Sequence, residues 1–148
     1  GGYARPMPAS WMQRQAVAVH ERAKQADIVI TTALIPGRKA PVLLSAETVA
    51  QMKPGSVVID LAAAQGGNCP LSKPDQVVDV NGVKVIGFTN LPGRIAADSS
   101  ALYARNLLAL LPLLTGENAA FAPKWDDEIV KAAVLTKDGQ VVHPALTS

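Results

Sequence analysis

Short β-branched runs punctuate this chain, and each lies between a helical pattern and a loop rich in Gly or Pro. Asp27-Ile-Val-Ile-Thr-Thr-Ala33, Ser56-Val-Val-Ile-Asp60 and Val83-Lys-Val-Ile-Gly87 show little polar/apolar alternation. Such runs predict strands buried on both faces, as in a parallel sheet. Met12, Ala16, Val19 and Ala23 recur at helical spacing, which predicts a helix over 11–25 with Ser10 as its N-cap. Ser45, followed by Thr48 and Gln51-Met52, predicts a second helix over 45–52, stopped by Pro54-Gly55. The Asn81-Gly82 turn leads into the third strand, with Val77–Val80 pairing before it.

Further on, residues 99–114 predict a long helix capped by Asp98 or Ser99 and stopped by Gly116. Its apolar surface covers most of the circumference, so it is expected to be buried between two domains or against a partner subunit. A short helix follows from Asp126 to Lys131, then a hairpin around Asp138-Gly139.

The order strand, helix, strand, loop, strand, helix fits parallel strands with right-handed crossovers. The expected class is therefore α/β: the second half of a Rossmann-type doubly wound parallel sheet, with a long helix and a tail belonging to a second lobe. The expected division is 1–98 for the half-sheet (1–10 being a mobile loop), 99–116 for the long helix, and 117–148 for the tail. The other half of such a fold carries a Gly-x-Gly-x-x-Gly turn and a downstream acidic residue. Gly66-Gly67 has no glycine at the required offset, and Gly87…Gly93 does not fit.

Composition narrows the function. Of the 148 residues 49% are hydrophobic, 18% charged and only 4% aromatic, so a core of Val, Ile, Leu and Ala is expected. The net charge of +2 is scattered, with no basic stripe interleaved with aromatics, which argues against nucleic acid as a partner. A single cysteine, Cys69, excludes an internal disulfide framework and fits a reducing compartment. The opening Gly1-Gly2-Tyr3 has neither an initiator Met nor a signal pattern, so a soluble, processed or recombinant fragment is expected. The nearest approach to a spanning segment, Leu107–Leu114, is short and contains Pro112.

In open α/β sheets ligands sit beyond the carboxyl ends of the strands. That rule selects Thr31–Gly37, Asp60–Asn68 and Thr89–Arg94. Asp60 either faces a bound nicotinamide or hydroxyl group or caps the following turn. Gln65 and Asn68 either donate to a neutral carboxamide or hold the turn, and Asn90, beside Pro92-Gly93, is read in the same two ways. Arg94 is an interface or substrate-anion contact, or a solvated surface residue. His20 and His143 lack a carboxylate or serine partner at motif spacing and are read as structural. Cys69 has no neighbouring ligand type, so no metal is expected. No nucleophilic triad, phosphate loop or paired-carboxylate site is visible.

Four segments then carry a resemblance. Gly1-Gly2-Tyr3-Ala4, Ile30-Thr-Thr-Ala-Leu-Ile-Pro-Gly37, Asp60-Leu-Ala-Ala…Gln65-Gly-Gly-Asn-Cys69 and Thr89-Asn-Leu-Pro-Gly-Arg94 follow in order. Together they resemble the NAD(H)-binding domain I of proton-translocating nicotinamide nucleotide transhydrogenase, α subunit, strongly over 1–115 and more loosely in the tail. The resemblance implies two lobes with nucleotide in the cleft, a homodimer, and hydride transfer from NADH to NADP⁺ held on a separate domain III. It also implies coupling to proton movement through a membrane domain, at the cytoplasmic face of a bacterial inner membrane.

Carried over onto this chain, Tyr3 resembles the tyrosine of a mobile loop that closes on nucleotide, with Gly2 beside it. Gln15 and Leu34 resemble nucleotide-contacting positions. The expected cofactor-binding set is Gly2, Tyr3, Gln15, Thr32, Ala33, Leu34, Asp60, Gln65 and Asn90, with no metal ligand and no catalytic side chain. None is needed where a nicotinamide carries the chemistry and protein supplies orientation. The upstream half, which would hold the pyrophosphate, is absent from the sequence, so weak NAD binding is expected of the chain alone. Two other readings stand: an alanine dehydrogenase-like enzyme, which shares the Gln-Gly-Gly and Asn-x-Pro-Gly segments, and a non-catalytic dimerisation or docking module. At the position where alanine dehydrogenases typically carry Met after the amide, this chain has Leu91.

Overall fold

The β-branched runs pair with one another, each flanked by the breakers that end it. In the computed structural model, which describes residues 7–35 and 37–147, β1 spans Ile28–Thr31, β2 Val57–Asp60, β3 Val77–Val80 and β4 Val83–Ile86. They form one sheet in the order β1-β2-β4-β3. Strands β1, β2 and β4 are parallel, with Thr31 opposite Asp60 and Ile59 opposite Ile86. Strand β3 joins antiparallel to β4 through the Asn81-Gly82 turn, where both residues have positive φ. This is the mixed α/β, mainly parallel sheet that the pattern predicts.

Helix α1 runs Ala9–Ala23 and α2 Ala46–Ala50. Ser45 caps α2, its side chain accepting from the Thr48 N–H. Ser10 does not cap α1: the helix begins a residue earlier, after Pro8, whose fixed φ suits a helix start without any side-chain cap. The core gathers Leu44, Val49, Met52, Val58, Val83 and Val85 with Ala23 and Cys69. Burial pushes the Cys69 thiol pKa up, so it behaves as a small apolar packing group.

The strands are not all buried on both faces. Val58 and Val85 are fully buried, but Ile28 and Ile30 of β1 are 63% and 59% exposed. Among the described residues β1 is the sheet's edge, and α1 leaves an open groove beside Ile28 and Ile30. A continuous apolar run signals burial in the assembled fold, and half of that burial is not supplied from within these residues. The same holds on α1, where Met12 and Val19 are exposed and Ala23 alone is buried.

Two compact units are distinguished, Gly1–Arg94 and Ile95–Ser148. In the second, α4 spans Ala96–Leu114, beginning upstream of the Asp98 or Ser99 start that the sequence suggests. Asp98 lies in its first turn, favourable to the helix dipole, rather than at its cap. No residue of α4 is buried in the chain, despite its apolar surface. After it, the Ala122 and Lys124 amides donate to the Leu114 and Leu113 carbonyls and turn the chain back. Helix α5, Glu128–Ala133, is capped by Asp127; β5 (Thr136–Lys137) and β6 (Gln140–Val141) form the expected hairpin. A one-turn helix, Pro144–Thr147, follows, with His143 Nδ1 accepting from the Ala145 N–H.

One glycine is sterically fixed. Gly67 has φ +75°, and a Cβ there would stand 2.7 Å from an Asp60 carboxylate oxygen. Gly55 has a similar φ, +91°, but open space around it. Gly55→Ala is expected to cost about 1–2 kcal/mol, the left-handed penalty alone, and Gly67→Ala clearly more, as read from urea unfolding midpoints.

Candidate functional site

Because β1, β2 and β4 are parallel, their carboxyl ends lie at one edge of the sheet, and the three loops selected by the strand-end rule leave from that edge. Each is held by side chains from the loops themselves.

The loop after β2 is built on Asp60. Its fully buried carboxylate accepts from the Ala62 N–H at 3.0 Å, the Cys69 N–H at 3.0 Å and the Ser72 hydroxyl at 2.6 Å. Burial by itself pushes the carboxyl pKa up. The Ser72 hydroxyl and the Asn68, Cys69 and Ala62 amides outweigh it and hold the group below the usual carboxylate value. Of its two readings, the structure gives Asp60 the turn-holding one. All its capacity is committed inside the protein, so it leaves the set of expected cofactor ligands.

Asn68 is also fully buried. Its Nδ2 donates to the carbonyls of Ala33 at 2.9 Å and Pro41 at 2.8 Å, and its Oδ1 accepts from the Ala33 N–H at 3.1 Å. Its own carbonyl accepts from the Leu43 and Leu44 amides. Gln65 adds to the same joint: its carbonyl accepts from the Ala40 N–H at 2.8 Å. With its NH₂ in the orientation that satisfies both ends, it donates to the Ile35 and Arg38 carbonyls at 3.2 and 3.1 Å. Gln65 is therefore a loop clasp, not a free carboxamide donor.

What these clasps present is the strip Thr32-Ala33-Leu34 just past β1. Thr32 and Leu34 are exposed, Leu34 by 45%, and Ala33 half-buried. Beside the strip, Gly37, Arg38, Lys39, Gln65 and Gly66 line an open depression of about 430 Å³. Thr31 Oγ1, buried at the end of β1, has no hydrogen-bond partner among the described residues.

The third loop is not a loop throughout. Leu91–Arg94 forms one helical turn, α3, which Asn90 caps by accepting the Gly93 N–H at 3.0 Å. A Cβ on Gly93 would meet the Asn90 amide at 2.5 Å, so glycine there lets the cap close. Asn90 is exposed, and its Nδ2 makes no hydrogen bond among the described residues. Asp75 steadies the approach by accepting from the Thr89 N–H and hydroxyl at 2.9 and 2.7 Å. These two bonds, with a smaller contribution from Arg94, lower its pKa. The Arg94 guanidinium stacks 3.7 Å over the Phe88 ring, which gives it a packing role.

The other expected residues lie elsewhere. Gln15 is on α1 and lines an open groove of about 570 Å³ with Ile28, Val29 and Ile30 of β1. Gly2 and Tyr3 fall outside the described residues. His20 Nδ1 bonds Thr48 Oγ1 at 2.8 Å and ties α1 to α2, a structural role as expected. Among the described residues no group of His, Cys, Asp and Glu could hold a metal.

The chain matches the family model described as "Alanine dehydrogenase/PNT, C-terminal domain" over residues 6–144. It belongs to that family. Within it, the chain is 51% identical over 148 residues to the first of the parts that make up NAD(P) transhydrogenase subunit alpha of Rhodospirillum rubrum, a match spanning 99% of this chain. Alanine dehydrogenase 1 of Staphylococcus aureus is 36% identical over 132 residues, covering 86% of this chain and 35% of that protein. The transhydrogenase structure from Sinorhizobium meliloti superposes with a TM-score of 0.72 at 48% identity, over 88% of this chain and 36% of that one. The resemblance read from the four segments is thus upheld, with alanine dehydrogenase the more distant relative. The chain spans 38% of the length of the Rhodospirillum rubrum protein.

A dinucleotide implied by this family meets a partial fit. The exposed strip Thr32–Leu34 and the free Asn90 amide suit an uncharged ring or ribose. The sequence contains no Gly-x-Gly-x-x-Gly turn to cradle a pyrophosphate.

Asp60 provides the site's pH test. Its folded pKa is depressed, so its stabilisation is complete above the unfolded value of about 4 and is lost as pH falls through the folded one. Urea unfolding at pH 6 and pH 3 should show a loss of stability in acid. Asp60→Asn should lower stability at pH 6 by about 1.5–3 kcal/mol, typical of hydrogen bonds to a charged group, and shrink the acid loss. An unchanged acid loss would assign it to other carboxylates.

Proposed function

We propose that this chain is the downstream portion of the NAD(H)-binding component of a proton-translocating transhydrogenase. The observation that carries the reading is the 51% identity, over 99% of the chain, to the Rhodospirillum rubrum protein named for NAD(P) transhydrogenase subunit alpha. The strand-end geometry supports it, because the strip Thr32-Ala33-Leu34 is exposed, neutral and held from beneath. In this reading Thr32, Ala33, Leu34 and Asn90 meet the nucleotide, Gly2 and Tyr3 close over it, and Gln15 contributes from α1. The bound nicotinamide supplies the hydride chemistry. The residues of this chain bind and orient it and keep water from that side.

The rest of the nucleotide site lies in an upstream half that adds to β1. Val57 N–H donates to the Asp27 carbonyl and Leu61 N–H to the Thr31 carbonyl, so alternate residues of β1 face β2. Ile28 and Ile30 therefore direct their backbone groups outward, to a neighbour that would continue the parallel sheet. Covering their side chains contributes roughly 1.5–3 kcal/mol each, a substantial drive for association of the halves.

Beyond this unit the reading assigns a homodimer, an NADP(H)-binding domain III that accepts the hydride, and a membrane domain that moves the proton. No helix among the described residues is long and apolar enough to cross a membrane. In this reading the component sits at the inner face of the bacterial inner membrane, held there by its partners. The apolar α4, exposed in this chain, is open to such a partner.

NADH titration of the chain with and without its upstream half tests the reading. At least tenfold tighter binding in the joined protein, about 1.4 kcal/mol, is expected. Equal affinity would remove the half-site idea, and robust pyruvate amination would move the protein to the alanine dehydrogenases. In the joined protein, Tyr3→Phe should slow hydride transfer without altering the melting temperature, since a closing loop contributes little to the core.

A further inference from the structure

We propose that Asn68 is a positioning residue for nucleotide binding, acting through the Thr32–Leu34 strip, and that Gln65 assists it from the surface. The inference rests on the functional reading above and deepens it. The resemblance places no role on Asn68, and the Gln65 amide is engaged with the Ile35 and Arg38 carbonyls.

The strip lies beyond the last rung between β1 and β2, the Leu61 N–H to the Thr31 carbonyl, so among the described residues no strand ladder holds it. Its own backbone bonds therefore cannot fix it. Asn68 holds both polar groups of Ala33, donating to the carbonyl at 2.9 Å and accepting from the N–H at 3.1 Å. This pair of bonds imitates one more rung of a β-ladder, made by a side chain instead of a strand. A third bond, to the Pro41 carbonyl at 2.8 Å, secures the far end of the same loop. An amide alone among short side chains can donate twice and accept once in one plane. Aspartate would set a carboxylate against two carbonyls, and serine has one donor for the two carbonyls.

Position is enforced on Asn68 itself. It follows Gly66 and Gly67, both at positive φ, and Gly67 packs directly against the Asp60 carboxylate. Asp60 accepts the next amide, from Cys69. The chain of constraint runs from Asp60 through Gly67 and Asn68 to Ala33, and it ends at the two exposed side chains on either side of Ala33. Gln65 restrains the outer part of the loop at the Ile35 and Arg38 carbonyls. It is half-buried, so water can replace it more readily.

A residue that sets a binding surface alters ground state and transition state alike, so its loss raises KM and spares kcat. A merely structural residue lowers the active fraction, which reduces apparent kcat and leaves KM unchanged. The test uses the complete polypeptide carrying this chain. Asn68→Ala should raise the KM and the equilibrium Kd for NADH at least tenfold, with kcat within threefold and the KM for NADP⁺ unaltered. Gln65→Met, similar in length but without a donor, should raise the NADH constants about threefold. In nucleotide-free protein, hydrogen exchange at the Ala33 amide should accelerate more than tenfold in Asn68→Ala, with β2 amides unaffected.

Unchanged NADH constants in folded Asn68→Ala, or a fall in kcat alone, would overturn the proposal. If that variant does not fold, unchanged NADH constants in Gln65→Met would overturn it instead. Failure of the unsubstituted protein to bind NADH would instead remove the functional reading, and Ala33 exchange would still report whether the clamp holds.

Discussion

Three hydrogen bonds from the buried Asn68 side chain join the loops that leave β1 and β2, and the candidate site exists in its present shape because they are made. The segment past the end of β1 has no strand ladder among the described residues. A single amide supplies that ladder, and it is in turn seated by Asp60, whose carboxylate gathers amides and a hydroxyl from the 62–72 segment. Burying a carboxylate is costly unless its oxygens are bonded, and here they are. The depressed pKa of Asp60 is the electrostatic signature of that satisfaction. Fold and site therefore share one polar network at the sheet's carboxyl edge, while the Val-rich core lies behind it.

This sharing explains why polar residues at the strand ends do not divide neatly into ligands and scaffolding. Asp60 and Asn68 face inward and hold backbone, Gln65 does so from a half-buried position, and Thr32, Leu34 and Asn90 are exposed. In the proposed function, hydride chemistry places little demand on acid or base side chains. What this chain would then supply is orientation, and orientation is a matter of how firmly the exposed strip is held. The buried amide and carboxylate serve that requirement one layer below the surface.

Much of the architecture was legible in the chain. Strand positions, the Asn81-Gly82 turn, the Ser45 cap and the hairpin at Asp138-Gly139 follow from local rules that act within a few residues. The strand-end rule picked out the loops of the candidate site without side-chain detail. What escaped was non-local or dependent on a missing neighbour. No pattern distinguishes an Asp60 that faces a ligand from one that faces the Ala62, Cys69 and Ser72 donors, because those partners are brought in by a turn. The exposed Ile28 and Ile30 look buried in sequence, since a continuous β-branched run reads as a covered strand and the described residues leave this face open. Leu91-Pro-Gly-Arg94 reads as a loop from its breakers, yet Pro92 falls in the first turn of a helix, where its missing N–H costs nothing.

In the proposed reading β1 is an interior strand of a larger sheet, completed by an upstream half. Hydrogen exchange at the Ile28 and Ile30 amides, measured with and without that half, separates an interior strand from an edge. These groups point away from β2, so fast exchange is expected in the chain alone and at least hundredfold protection, about 2.7 kcal/mol, once the halves are joined. Equal exchange in the two states would show that β1 remains an edge and that no upstream half completes the sheet.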